Sequence, residues 1–453
     1  MRCRNFKPSI AGGRGKSNLP ACLPLIFRLA KATFSIILKL RMERSCMKVL
    51  IIGGGASGMM AALRASQTAG NRVTLLERQN RVGKKLLATG NGRCNLTNRN
   101  IEIERYHGAQ PGFARFALER FDAEKTLAFF ASLGLLSVTE ASGKVYPLSD
   151  QASSVLDVLR FALDARGVQV VSSCDVVEIK HKARGYEALS ATGEKYFGDK
   201  LIVACGGAAG KKLGGSRSGY HLLAQLGHNC TELLPSLTQI RTDLSYVRSL
   251  KGVRADAHVQ LRRDGRTVQE SFGEVQFTDF GLSGPEAFAL SRAAAFGGVG
   301  QELALDFFRS YTQDALQTML QAKRAQLPAL PAEHLFAGML QSRLGQVIVK
   351  RAGVGLQTPL AELTDEALFA CGTLAKWFTL EVTGVMGFDN AQVTAGGVPV
   401  REFDERTLES KIAPGVFACG EVLDIDGDCG GFNLQWAWSS GDLAGMLGKG
   451  EEA

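Results

Sequence analysis

The chain is 453 residues long, 45% hydrophobic and 21% charged, with twelve prolines. That is an ordinary globular composition, large enough for two or three domains with real cores, and neither a disordered tract nor a solenoid or propeller repeat is visible. The formal charge of +9 suggests nucleic acid until it is located: of 53 Lys and Arg and 44 Asp and Glu, ten bases and one acid fall in residues 1–46, leaving 43 of each sign from Met47 onward. The body is neutral, so binding of a polyanion would require a local patch.

Residues 1–46 admit three readings. They are an upstream extension before a true start at Met47, an Arg-rich targeting or amphipathic surface segment, or an extra structural element. Ala21 to Leu40 is apolar but broken by Arg28, Lys31 and Lys39, short of the roughly 20 residues a membrane span needs. No stable membrane association is expected, and this segment is set outside the fold. Ten cysteines without a CxxC, and six scattered histidines, argue for reduced thiols in a cytoplasmic protein and against a metal site.

Val49 to Ile52 is a continuous apolar run of the parallel-strand kind, followed at once by Gly53-Gly54-Gly55-Ala56-Ser57-Gly58 and a helical stretch from Met59 to Ala69. Arg72 to Leu76 reads as the next strand and ends on Glu77. In that context the glycines form a dinucleotide-binding turn. Gly53 permits the tight turn, Gly55 lets backbone approach a pyrophosphate, and Gly58 lets helix and strand pack closely, with Ala56 and Ser57 opening the helix N-terminus toward the phosphates. Glu77 would accept hydrogen bonds from ribose hydroxyls and repel a 2′-phosphate, which points to FAD or NAD and away from NADP.

Gly83 to Asn98 reads as a structured loop. Helices are predicted over Phe116–Leu133 and Ala152–Arg166, the second capped by Ser149 or Asp150. A β meander follows through Val168–Ser172, Val176–Lys180 and Tyr186–Ser190, returning to a buried strand, Leu201–Ala204, that runs into Gly206-Gly207. Leu237–Ile240, Ala257–Arg262, Thr267–Phe272, Glu274–Phe277 and Glu302–Phe307 look like a separate antiparallel unit, with a hairpin turn at Asp264-Gly265. Tyr311 to Phe378 is predicted helical. Val393–Val400 and Gly415–Ala418 return to strand, and Gln435–Leu447 closes the chain as an amphipathic helix, so the nucleotide-binding domain is split around its inserts.

Three further stretches narrow the reading: Gly83 to Asn98 (GKKLLATGNGRCNLTN), Gly143 to Ser153 (GKVYPLSDQAS) and Gly420 to Gly441 (GEVLDIDGDCGGFNLQWAWSSG), together with Thr394 to Val398 (TAGGV). They closely resemble the motifs of the BaiN/RdsA-type NAD(P)/FAD-dependent oxidoreductases, a group within the glutathione-reductase-like flavoproteins that includes enzymes labelled aminoacetone oxidases. The resemblance runs from Met47 to Leu447. It implies an α/β fold with a split Rossmann-like FAD-binding domain (47–232 and 390–453), a β-barrel-like insert (233–310 and 379–389) and a small helical domain (311–378). Cys205 stands where the family usually has threonine before the glycine pair, which puts one nucleotide contact in doubt but not the fold.

Gly420-Glu421 after the apolar strand resembles a second flavin fingerprint, its acid directed at the ribityl or pyrophosphate region. Gly430-Gly431 leads into a helix near Asn433 whose N-terminus could stabilise negative charge on reduced flavin. Gly90, Asn91 and Gly92 would let the loop lie against the isoalloxazine ring, and Lys84 joins them as a cofactor-binding candidate. Arg93 either supports anionic flavin or clamps the loop. Lys211 and Lys212 either touch a phosphate or belong to a solvated loop.

No second strand–glycine turn–helix unit is present, so NAD(P)H would dock transiently as electron donor. The implied reaction passes hydride through FAD to a conjugated C=C bond, either a ribosomal RNA uridine or an unsaturated steroid or bile-acid ketone, with a protein acid supplying the proton. Cys94, Cys429 and Tyr146 are the candidate acids, with buried inert cysteines as the competing reading. Trp436 and Trp438 could stack a ring, although two tryptophans two apart on a helix face different ways. An amine oxidase using O₂, and a non-catalytic flavin-containing ribosome-assembly factor, are the rival functions. Substrate, reductant preference and oligomeric state stay open.

Overall fold

The computed structural model describes residues 47–448, so the readings of residues 1–46 lie outside the described residues. At its centre five parallel strands, β1 (Lys48–Ile52), β2 (Arg72–Leu76), β3 (Gln169–Val171), β4 (Lys200–Val203) and β5 (Val416–Ala418), lie in the order β5-β4-β1-β2-β3. β1 is buried between β2 and β4, with Ile51 opposite both Leu75 and Ile202. Its apolar run is thus a strand covered on both faces.

Helix α1 (Ala56–Ala65) starts three residues earlier than the periodicity predicts and stops at Ser66. The C-terminal helix, Phe432–Gly445, lies against α1. Gly441 and Gly445, one turn apart, make this approach possible. A methyl group at either would lie 2.5 Å from Ser57 O or 2.6 Å from Ala61 O. Gly441, inside the helix, costs about 1 kcal/mol of propensity, while Gly445 is its last residue.

The antiparallel unit is a closed six-stranded barrel inserted between β4 and β5. The two strands predicted on either side of Gly273 are one, Arg266–Phe277, which passes through that glycine at φ +152°. Helices Gln313–Gln326, Ser342–Arg351 and Asp365–Lys376 pack beside the barrel and share its apolar core. The predicted helix Phe116–Leu133 is instead two, broken at Asp122, whose carboxylate caps the second by accepting from Lys125 N at 2.8 Å. Val168–Ser172 contributes an edge strand of the parallel sheet, not the start of a meander. The meander is completed by Lys195–Gly198, which lacks a clear apolar alternation and escaped sequence reading.

One buried polar network fixes the return of the chain toward β5. His228 stacks on Phe403 and stands between Glu402 Oε2 (2.8 Å from Nδ1) and Ser410 Oγ (2.9 Å from Nε2), while Asn229 Nδ2 donates to Glu402 Oε1 at 2.7 Å. Burial pushes the Glu402 carboxyl up, and the donors Asn229 and His228 outweigh it, so the group titrates below its usual 4.5. A carboxylate depressed in the folded state contributes stability above its unfolded pKa and loses it as pH falls through the folded one. Glu402→Gln is therefore expected to destabilise the protein by about 1–3 kcal/mol at pH 7. In denaturant titrations the gap between the two proteins should shrink below about pH 4.5.

Candidate functional site

The glycine turn is built by three different constraints. Gly53 sits at φ +107°, its N–H donating to Leu76 O at 2.8 Å, and a side chain there would strike the Ala204 carbonyl. Gly58 carries no side chain because one would strike the Gly53 carbonyl. Gly55 differs: at φ −79° any residue is allowed, and a Cβ would meet no protein atom within 4 Å. Packing of the protein on itself does not require glycine at this position. Gly55 is also the N-cap of α1 and gives it no side-chain hydrogen bond, which leaves the first N–H groups, at Ala56 and Ser57, for a phosphate.

Glu77, at the end of β2, accepts from Gly54 N and Gln79 N, each at 2.7 Å, which aims its carboxylate at the turn with acceptor capacity remaining for ribose hydroxyls. These residues fit an adenosine diphosphate moiety.

The three long motifs, far apart in sequence, converge beside this turn. Thr97–Asn98 pairs with the strand Lys144–Pro147, joining the first to the second. Asn98 Nδ2 donates to Gly430 O at 2.8 Å and Trp438 Nε1 to Leu96 O at 2.9 Å, joining the first to the third. Lys85 Nζ meets Glu421 Oε2 at 2.8 Å. Lys85, not Lys84, makes that link; the Lys84 ammonium instead donates to Gln79 Oε1 at 3.0 Å.

Glu421 also accepts from Thr394 N at 2.8 Å, so its carboxylate ties the Gly83–Asn98 loop to the strand Val393–Ala395. Gly207 is obligatory, since a Cβ would lie 2.5 Å from both Glu421 Oε1 and Thr394 Oγ1, whereas Gly206, at φ +68°, faces open space. Cys205, in the place of the expected threonine, points its Sγ at Ile52 O, and burial pushes its pKa to about 12.

Gly90, Asn91 and Gly92 all take positive φ in a tight double turn, and Gly92 has no protein neighbour within 4 Å of a built Cβ. Arg93 is engaged within the protein. It pairs with Asp150 and Glu140 and lies 3.9 Å over the Tyr146 ring, its pKa raised first by the Asp150 hydrogen bond. Asp150, predicted as a helix cap, adopts φ +56° and serves this arginine; Gln151 precedes helix Ala152–Ala165, with no side-chain cap.

Gly431, at φ +100°, admits the chain past the Thr97 carbonyl, and Gly430 lies against Asn98 and Lys144. The helix that follows starts without a side-chain cap, which keeps its N-terminal N–H groups available. Asn433 braces the loop, accepting from Gly427 N at 2.9 Å and donating to Gly427 O at 2.7 Å, so its amide is committed within the protein.

The candidate acids differ in burial. Cys94 is fully buried in the apolar core at φ +64°, and burial pushes its thiol to about 12, which fits the inert-cysteine reading. Cys429 is partly exposed on the motif loop. Its pKa is raised first by burial, and Lys144 pulls it the other way. Tyr146 neighbours it electrostatically and is raised by burial, then by Glu140. Both tryptophans are core residues, Trp436 bonding Gly420 O and Trp438 lying edge-on to Phe130 at 5.2 Å. Neither can stack a substrate.

Tyr220, outside every candidate named from the sequence, is buried beside Thr394 and Glu421, and its hydroxyl makes no hydrogen bond of good geometry within the protein. A buried donor of this kind fits a polar cofactor chain. Among the described residues there is no cluster of three metal-ligating side chains, and no helix is long and apolar enough to cross a membrane.

A parallel sheet with a glycine turn, an acidic residue at the end of its second strand, and a helix N-terminus converging on the same edge define a dinucleotide-binding oxidoreductase of the flavoprotein class. Residues 47–447 match the HI0933-like protein Rossmann domain, and the chain belongs to that FAD-binding family. It is 38% identical over 406 residues to a 3-dehydro-bile acid delta(4,6)-reductase of Clostridium scindens, covering 88% of this chain and 98% of the relative. A ribosomal RNA dihydrouridine synthase of Escherichia coli is 30% identical, over 86% of this chain and 95% of its own. Among solved structures, the 3-ketosteroid delta1-dehydrogenase of Sterolibacterium denitrificans aligns over 88% of this chain and 98% of its own at 13% identity and TM-score 0.44. The open conformation of a flavocytochrome c3 fumarate reductase aligns over 89% and 78% at 16% identity and TM-score 0.43.

Proposed function

We propose that this chain reduces a C=C bond conjugated with a ketone, taking hydride from NAD(P)H, with a steroid or bile-acid enone as the substrate class. The observation that supports this most is the full-length likeness to the bile-acid reductase, joined to a proton-bearing pair, Cys429 and Tyr146, where the motifs meet. When bound, FAD supplies the two-electron carrier that accepts hydride from the reductant and delivers it to the electron-poor carbon.

The residues do the rest. Gly55 and the first turn of α1 would hold the pyrophosphate, and Glu77 the ribose. Tyr220 would donate to the polar chain, and the N-terminus of the C-terminal helix would favour negative charge near it. Cys429 or Tyr146 would protonate the carbon beside the one that receives hydride. Cys94 is too deeply buried to do so.

A ribosomal RNA uridine is the second reading, favoured by the synthase relatives and by Lys211 and Lys212, which are exposed and make no ion pair among the described residues. Anaerobic titration tests both: NADH or NADPH should bleach the flavin spectrum, and a steroid 4,6-dien-3-one should restore it. Bleaching by aminoacetone and not by NAD(P)H would replace the reductase by an oxidase. Restoration by ribosomal RNA but not by the dienone would move the substrate to the second reading.

A further inference from the structure

The body is neutral, with 43 bases and 43 acids from Met47 onward, yet residues 77–85 and 207–217 together hold seven Lys and Arg against one acid, Glu77. The structure joins these two distant segments into one surface. Arg78 Nη2 donates to Gly214 O at 2.8 Å, and Cβ atoms built on Gly214 and Gly210 would lie 3.3 Å from Gln79 Cγ and 3.9 Å from Lys85 Cε. Of the seven, only Lys85 meets a carboxylate, that of Glu421. Arg78 and Lys84 are engaged by a carbonyl and by Gln79, while Arg81, Lys211 and Lys212 are exposed and their side chains make no hydrogen bond or ion pair among the described residues. Like charges held together without counter-ions repel one another, so the surface is stabilised when an anion joins it.

The lysine loop is also fastened to an aromatic ring. Gly210 N donates to Phe388 O at 2.8 Å, and the Arg217 guanidinium lies 5.7 Å over the Phe388 ring. A phenyl ring and a guanidinium offer stacking faces for an adenine, and the two free ammonium groups on the same loop offer a phosphate its counter-charge. Glu77, suited to turn a 2′-phosphate away from the FAD site, directly precedes Arg78, so the surface borders that site without belonging to it. Asp175, next to the Cys174 whose N–H donates to Glu77 O, and Asp389, next to Phe388, limit its extent. That suits one phosphate monoester better than a phosphodiester track.

We propose that Lys211 and Lys212 bind the 2′-phosphate of the reductant, and Arg217 on Phe388 its adenine, so that NADPH is the hydride donor this chain selects over NADH. This rests on the reading that NAD(P)H reduces the flavin, and it names which of the two does so. The reaction balances as before: NADPH loses hydride to FAD and leaves as NADP⁺, and the 2′-phosphate takes part only in binding.

The test uses the FAD-loaded full chain with Lys211→Gln/Lys212→Gln, the charge-keeping Lys211→Arg/Lys212→Arg, and Arg217→Gln. Anaerobic stopped-flow reduction by each nucleotide separates binding from the hydride step. Wild type should prefer NADPH by about tenfold or more through its apparent Kd, the factor that hydrogen bonds to a charged phosphate contribute. In the glutamine pair the NADPH Kd should rise about tenfold while the limiting reduction rate stays within about twofold, the pattern of lost uniform binding, and the NADH Kd should not follow. The arginine pair should keep the preference. Arg217→Gln should weaken NADPH and NADH alike, because the adenine is common to both. Titration calorimetry with 2′,5′-ADP, against 5′-AMP as control, reads the same contact without turnover: 2′,5′-ADP should bind wild type and lose about tenfold in the glutamine pair. Equal use of NADPH and NADH by wild type, or a preference that survives in the glutamine pair, overturns the proposal. So does a ribosomal RNA fragment whose binding falls in that variant while the NADPH preference stands, which gives the surface to RNA. If neither nucleotide bleaches the flavin, the reductase reading fails and the choice of donor with it, while the 2′,5′-ADP titration still decides whether these lysines hold a ribose phosphate.

Discussion

Gly55→Leu should give a folded protein that does not retain FAD. The glycine has ordinary negative φ and no protein atom within 4 Å of a built Cβ, so the leucine meets no steric penalty from the protein itself. What it fills is the approach to the N-terminal N–H groups of α1, where a pyrophosphate would lie. Affinity should fall on the order of 10²-fold or more, about 2.7 kcal/mol. The measurement is flavin content after desalting, alongside the melting temperature of the FAD-free protein, which should stay within a few degrees of wild type.

Gly58→Val supplies the contrast. Its side chain would strike the Gly53 carbonyl, so the cost falls on the fold, with about 1–3 kcal/mol or more expected from overpacking. A Gly55→Leu protein that keeps its flavin would show that the cofactor does not press on this turn. Their places in the turn assign the two glycines different roles in the sequence, and the surroundings of each Cβ differ in the same sense: open space at Gly55, the Gly53 carbonyl at Gly58.

That difference marks what could be read in advance. The strand–turn–helix–strand unit was legible because its residues are contiguous: Val49–Ile52, the glycines and Glu77 lie within one local unit, and hydrophobic period and turn chemistry report local structure. The inserted antiparallel unit was legible as short strands, and its barrel form came from the family resemblance. The strands Gly281–Ser283 and Phe378–Val385 and the helix Pro285–Gly297 were missed, while Gly273, which looked like a break, proved to be a seat for Glu286. Long-range partners carried no such signal. That Lys85 and not Lys84 reaches Glu421, that Arg93 is held by Asp150, and that Asn433 grips Gly427 all depend on how distant segments meet. Tyr220 was hidden because a buried tyrosine on an apolar helix face has the same pattern whether its hydroxyl serves a cofactor or not. Cys94 and Cys429 both stood in motifs, and burial alone tells them apart.

The second large effect follows from that separation. Cys429→Ala should leave reduction of the flavin by NAD(P)H within about twofold of wild type while slowing re-oxidation by an enone on the order of 10² or more, the usual contribution of general acid catalysis. The thiol is suited to this role because burial first, and then the carboxylates Asp428 and Glu286, raise its pKa, which keeps the proton in place at neutral pH. Lys144 can balance the negative charge left after transfer.

Cys94→Ala is the control. Its thiol is enclosed by core side chains, so the change should cost packing and leave both half-reactions near wild type. Tyr146→Phe distinguishes the remaining candidate, because it removes the hydroxyl while keeping the ring on which Arg93 lies. If Cys429→Ala re-oxidises normally and Tyr146→Phe does not, the phenol is the acid. If the cysteine variant slows both half-reactions together, the motif loop shapes the flavin environment and the donor role is lost. A rate that is normal in both variants would assign the proton to solvent, and the cluster of Lys144, Tyr146 and Cys429 would then be a frame for the loop.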